Sequence, residues 1–185
     1  MRALVGLLLL AVGLGGCAAL PPAPPVASLP PGVFGTYEDN DIGAINFAAW
    51  AFASAANTQG NPAEAARAVV ALEYLPGELT RSPRWIGMDI AIKLHMGRAR
   101  DDLRRILGIR PDAPPQIVVN TMLALALDLQ MGNQPAALQV LSAPLFGRPP
   151  EQTLQILSNL PFVQEANFAT SRAQDQSFPG NDGVR

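Results

Sequence analysis

An all-α fold is predicted, and three observations carry that expectation. Hydrophobic residues make up 49% of the 185-residue chain but aromatics only 6%. A core must therefore be assembled mainly from Ala, Leu, Val and Ile, which suits close-packed helices better than a sheet rich in β-branched and aromatic side chains. From Asp39 onward apolar residues recur at helical spacing, as in the stripe Ile42, Ile45, Ala49, Phe52 and Ala56, and no stretch sustains period-two alternation. Helix starts are also punctuated. Asn61-Pro62-Ala63-Glu64 supplies an N-cap, a first-turn proline and a capping-box glutamate, with Ser82-Pro83, Gln134-Pro135 and Pro149-Pro150-Glu151 as further starts.

Taken in order, the chain opens with MRALVGLLLLAVGLGGC. One cation, Arg2, precedes about a dozen apolar residues, too few for a stable bilayer-spanning helix of roughly 20 residues. The pattern is that of a secretory signal, residues 1–16, with small residues at its end. Leu14-Gly15-Gly16-Cys17 places the single cysteine of the chain at that point. In an oxidising compartment a solitary cysteine would otherwise be a loose reactive thiol. Residues 17–37 then form a linker, with six prolines between Pro21 and Pro31 opposing helix and sheet and favouring a semi-rigid tether.

The tetrapeptide resembles the lipobox of bacterial lipoproteins, departing from it at Gly15, where Ala or Ser is commoner. The resemblance implies acylation of Cys17 and cleavage just before it, so that two or more acyl chains anchor the protein to membrane lipid. The alternative is an ordinary secretory signal with a chance cysteine. Lipoproteins kept in the inner membrane commonly carry Asp after the cysteine. Ala18 and Ala19 stand there instead, so the resemblance favours the outer membrane, with the domain in the periplasm, over the inner membrane.

Helices are expected at 41–59, 62–75, 83–96, 99–108, 115–131, 135–142, 150–159 and 162–174, with short links making neighbours antiparallel. They form a helical domain over 38–175, followed by a fraying tail, 176–185. Gly60, Gly97 and Gly132 are spaced by 37 and 35 residues at expected turns. Ala65 and Ala137 follow the first and third by five positions, Asp102 breaking that rule in the middle unit. Pro114 and Pro149 follow the second and third by 17, and Pro76 falls one short. These signals resemble a degenerate tetratricopeptide repeat over about 46–149, with a partial fourth unit after it. The family's early Trp and Tyr positions are not in register. The resemblance implies antiparallel helical hairpins stacked as a short superhelix; an irregular helical bundle is the alternative. The helix from Ile117 to Met131 is apolar nearly all round, which predicts burial between neighbours. A membrane span is its rival, opposed by Asn120 and Asp128.

Catalytic signatures are sparse, and no enzyme is expected. His95 is the only histidine, and no metal-ligand spacing, nucleophile elbow or phosphate-binding glycine loop occurs. His95 is read as a helix-end residue beside Gly97, and RARDDLRR, residues 98–105, as a solvated face with Arg98–Asp102 and Asp101–Arg105 pairs. A formal charge of -2 with no basic stripe argues against nucleic acid, and no cofactor or metal is called for. By resemblance to tetratricopeptide proteins, the first helix of each unit lines a partner-binding groove. Counted from the glycines, this holds Phe47, Trp50, Ser54, Arg84, Ala91, His95, Val119, Met122 and Ala126, with Arg84 the sole cation matching the family's clamp for a terminal carboxylate. Such a groove suits an amphipathic helix or an apolar peptide. The functional expectation is a lipid-anchored periplasmic scaffold that docks an envelope protein, similar to small repeat lipoproteins that assist pilus, secretion or outer-membrane assembly. An envelope hydrolase built on Asp128 with Asp89 or Asp102, and a purely structural spacer, are the alternatives.

Overall fold

Seven α-helices follow one another in the computed structural model, which describes residues 25–35 and 39–177. They are α1 (Asn40–Ala53), α2 (Pro62–Arg81), α3 (Ile90–Leu107), α4 (Pro115–Gln130), α5 (Gln134–Leu141), α6 (Pro150–Ser158) and α7 (Gln164–Ser177). Short 3-10 turns at Ala55–Asn57 and Pro83–Trp85 complete the set, and the all-α expectation holds. The leader, Cys17 and residues 178–185 lie outside the described residues. No helix among the described residues is long and apolar enough to cross a membrane.

Helix α2 is the hub, packing against α1, α3, α4 and α6. Its start follows the capping logic: the Asn61 side chain accepts from the Glu64 N–H at 3.2 Å, and Pro62 opens the helix. The sequence stops this helix at 75, yet it runs through Pro76 to Arg81. An internal proline costs roughly 3 kcal/mol. Leu75 and Leu79 flank it fully buried, each worth about 1.5–3 kcal/mol, so burial on both sides offsets the break.

Two hairpins match the expected punctuation. The α1–α2 and α4–α5 connections turn at Gly60 and Gly132, with φ of 74° and 70°, and these turns share one shallow hollow with Pro62 and Leu129. Ala65 and Ala137, the paired small positions, are both fully buried. The middle unit departs: Gly97 lies inside a continuous α3, and the left-handed residue closing that helix is Gly108, φ 72°. The helices expected at 83–96 and 99–108 are thus one. A lone glycine does not end a helix whose stripe Ile92, Met96, Ala99, Leu103 and Leu107 stays buried on both sides of it. Helix α7 then returns to pack on both α1 and α3, so the last helix touches the first.

Both expected domain limits move outward. Residues 25–35, assigned to the linker, lie as a strap on the helices, with Ala27 buried and Leu29, Val33 and Phe34 against the core. The Gln116 side chain accepts from the Ser28 N–H at 2.6 Å and donates to its carbonyl at 3.1 Å, as a neighbouring strand would. At the C-terminus, Gln176 and Ser177 belong to α7 rather than to a fraying tail. Gln174 donates to Asn46, and Gln176 accepts from the Asp89 N–H.

Candidate functional site

The space between α1 and α3, which carry two of the three stretches expected to line the groove, is filled by α7. Helix α7 presents Ala166, Ala169, Thr170 and Ala173, at i, i+3, i+4 and i+7, as its buried face. Small side chains at that spacing let the helix approach its neighbours closely. Thr170 satisfies its buried hydroxyl on the Ala166 carbonyl at 2.7 Å.

The residues assigned to the groove are dispersed by this arrangement. Phe47 and Trp50 lie on the outer side of α1, where Phe47 sits 5.1 Å from Phe34 and 5.5 Å from Trp50, with the Arg67 guanidinium 4.6 Å from the Phe47 ring. Ser54 caps the 3-10 turn after α1 by accepting from the Ala56 N–H. Arg84 is not a free clamp. It pairs with Asp39 at 2.7 Å and Asp41 at 3.2 Å and lies over the Trp85 ring. Its hydrogen bond to Asp39 raises its pKa above the ordinary arginine value. Met122 is fully buried, as are Val119 and all but a trace of Ala126, because these residues form the side of α4 that faces the core. They line no groove.

His95 borders an open cleft. It sits in the interior of α3 rather than at a helix end, with Nδ1 2.7 Å from Glu165 Oε1 and its ring edge-on to Phe168 at 4.7 Å. Asp102, Arg105 and Ile106 from α3, with Phe162 from the link before α7 and Glu165 from its first turn, complete a cleft of about 550 Å³. Phe162 and Phe168 are 53% and 42% exposed at its mouth. Large apolar side chains exposed together, rather than singly, mark interaction sites. Glu165 in the first turn of α7 also complements that helix's positive end. Asp102 is engaged by Arg105 at 2.6 Å. The cleft thus offers apolar rings in its walls, with the hydrogen-bonded His95–Glu165 pair and the Asp102–Arg105 ion pair at its rim.

A second cleft, about 650 Å³, lies at the end of α3 and includes Arg100, Arg104, Arg105 and Arg110. It is less suited to recognition, since each guanidinium already has a carboxylate: Asp101, Glu73, Asp102 and Asp112 respectively. The pairings differ from those expected for residues 98–105. Arg104 is not on a solvated face at all; it is buried, bidentate to Glu73 at 2.7 and 2.5 Å, and donates to the carbonyls of Pro111 and Ala113. Burial raises the Glu73 pKa above its ordinary value, with Arg104 opposing.

For hydrolysis, the expected carboxylates do not converge. Asp89 caps α3 through the Ala91 N–H, and Asp128 sits on α4, away from Asp102 in the cleft. Glu165, which sequence reasoning missed, is the acid that joins His95; its only local signal was a place in the first turn of a helix. No cluster of three metal-ligating side chains occurs among the described residues. No protein-family model, curated protein or solved structure matches the chain significantly.

Proposed function

We propose that the chain is a lipid-anchored scaffold of the bacterial envelope, tethered through acylated Cys17 to the periplasmic face of the outer membrane, whose helical domain docks another envelope protein. The observation that carries the docking role is the pair of exposed rings, Phe162 and Phe168, around a cleft edged by His95–Glu165 and Asp102–Arg105. Apolar aromatic anchors ringed by polar groups are the usual composition of an interaction hot spot. Anchoring rests on Leu14, Gly16 and Cys17. The tetratricopeptide resemblance supports a binding rather than a catalytic use of the scaffold.

The test is photo-crosslinking in cells from a probe replacing Gln164, a cleft residue between the two rings. A specific crosslinked envelope protein is expected, lost on Phe162→Ala/Phe168→Ala while helix content is retained. Recovery of no specific partner would overturn the docking role, and mass spectrometry showing an uncleaved leader or unmodified Cys17 would overturn the anchoring. A hydrolase acting on envelope glycan or lipid is a second reading, favoured by Asp102 and Glu165 sharing the cleft with His95. It requires product release from such substrates that Glu165→Gln abolishes.

A further inference from the structure

The helix that sequence reads as buried all round is buried on one side only. Val118, Val119, Met122, Leu125 and Ala126 of α4 face the core. On the opposite side Ile117, Leu127 and Met131, its C-cap, are 51%, 56% and 63% exposed. Asn120 and Ala124 are exposed between them, with Thr121 and Asp128 half-buried alongside. At 100° per residue these positions fall on one stripe, about 21 Å long from residue 117 to residue 131. An apolar helix side of this length left to water asks for a partner.

About Ala124 the stripe pairs apolar with apolar at Ile117 and Met131 and a donor with an acceptor at Asn120 and Asp128, while Thr121 falls opposite Leu127. Ile117 and Met131 lie seven residues either side of Ala124, Asn120 and Asp128 four, and Thr121 and Leu127 three. Laid antiparallel on a copy of itself, α4 puts Ala124 against its own equivalent, where a methyl group permits close approach of the two helices. Ile117 then meets the partner subunit's Met131, and the Asn120 amide reaches Asp128 of the partner subunit. That carboxylate is the only charge on α4, so the pairing brings a donor to the one acceptor that would otherwise be costly to cover. Self-complementarity of this kind is what a two-fold interface requires.

We propose that the outer face of α4 pairs two copies of this chain about a two-fold axis through Ala124. A bilayer surface fits the same face poorly, because interfacial helices carry Lys or Arg at their polar edge and α4 has neither. One helix pair covers less than the roughly 800 Å² per partner of a standard stable interface, so the dimer is weak and reversible. The cleft is built by α3, the start of α7 and the link before it, whereas α4 packs on α2 and α5, so pairing leaves the docking site open.

Cysteine crosslinking in the full-length chain in membranes tests the register. Ala124→Cys is expected to give a disulfide-linked dimer on oxidation. Asn120→Cys alone should not, but should do so when co-expressed with Asp128→Cys; the unsubstituted chain supplies the baseline from Cys17. Sedimentation of the detergent-solubilised full chain should show a monomer–dimer equilibrium at micromolar concentration, its dissociation constant raised at least about tenfold by Leu127→Glu with the helical circular-dichroism signal unchanged. A monomer at roughly 100 µM would overturn the proposal. So would self-crosslinking from Asn120→Cys as strong as from Ala124→Cys, or crosslinking of Ala124→Cys to a different protein in place of itself.

Discussion

Glu73 and Arg104 show how far a single residue can differ from its sequence context. Arg104 belongs to a run of eight residues with five charges on arginines and aspartates besides its own, yet it is the one that turns inward. Glu73 is the complementary signal, a lone acid in the apolar run VVALEYL. Such a residue inside a buried helix demands a counter-charge, but nothing local says that the partner stands 31 positions on. Arg104→Met leaves Glu73 buried without its cation and should cost about 3–5 kcal/mol at neutral pH. The pH dependence has a definite sign. Because burial raises the folded pKa of Glu73, its contribution is complete below the unfolded pKa and declines as pH rises through the folded one. Losing Arg104 removes the opposing influence, so urea unfolding should show a smaller deficit for Arg104→Met at pH 4 than at pH 7. An equal deficit at both would refute the buried-pair account. Asp41 is a second such residue: its carboxylate accepts from the buried Trp85 Nε1 at 2.9 Å. Asp41→Ala should orphan that donor and cost about 1–3 kcal/mol, whereas Arg84→Ala, half-exposed, should cost under about 1 kcal/mol.

Among the elements, glycine and proline carried the expected boundaries and did so unevenly. Gly60 and Gly132 turn with positive φ, while Gly97, spaced like them, is helical with open space where a Cβ would stand. Thermal melts separate the two situations. Gly97→Ala should stabilise by roughly 0.5–1 kcal/mol, since alanine is the better helix former there, and Gly60→Ala or Gly132→Ala should destabilise by about 1 kcal/mol or more. Spacing could not tell these glycines apart because backbone handedness is not written in residue identity. The strap was equally hidden, its prolines reading as a tether. What holds it is a notch on α2: a Cβ on Gly77 would stand 2.7 Å from the Pro25 carbonyl oxygen and 2.9 Å from Val26 Cα. Gly77→Ala should therefore lift residues 25–28 off the helix, detected as faster limited proteolysis in the strap with little loss of helix content. Unchanged cleavage would contradict the docking described.

At the scale of the molecule, the return of α7 decides the architecture. The helix seals the space between α1 and α3 and leaves only its N-terminal end open as the cleft, which is why a groove of nine candidate positions narrows to His95 with newly recruited neighbours. Its inner face of alanines and one threonine buries little area per residue, so its hold depends on closeness of approach. Ala169→Leu should force α7 outward, costing about 1–3 kcal/mol. Truncation before Gln164 should uncover apolar faces of α1 and α3 and broaden the urea transition. Retention of a single sharp transition at the original midpoint would show α7 to be an appendage.

Composition and helical periodicity were sufficient to specify an all-helical chain, the capping signal at Asn61, the turns at Gly60 and Gly132 and the buried Ala65 and Ala137, because each depends on interactions within a few residues of sequence. The pairing of Glu73 with Arg104, the seating of the strap, the closure of α7 and the bare side of α4 were decided only by tertiary packing. Those features join positions tens of residues apart, and which face of a helix finds a neighbour depends on where the rest of the chain has come to lie.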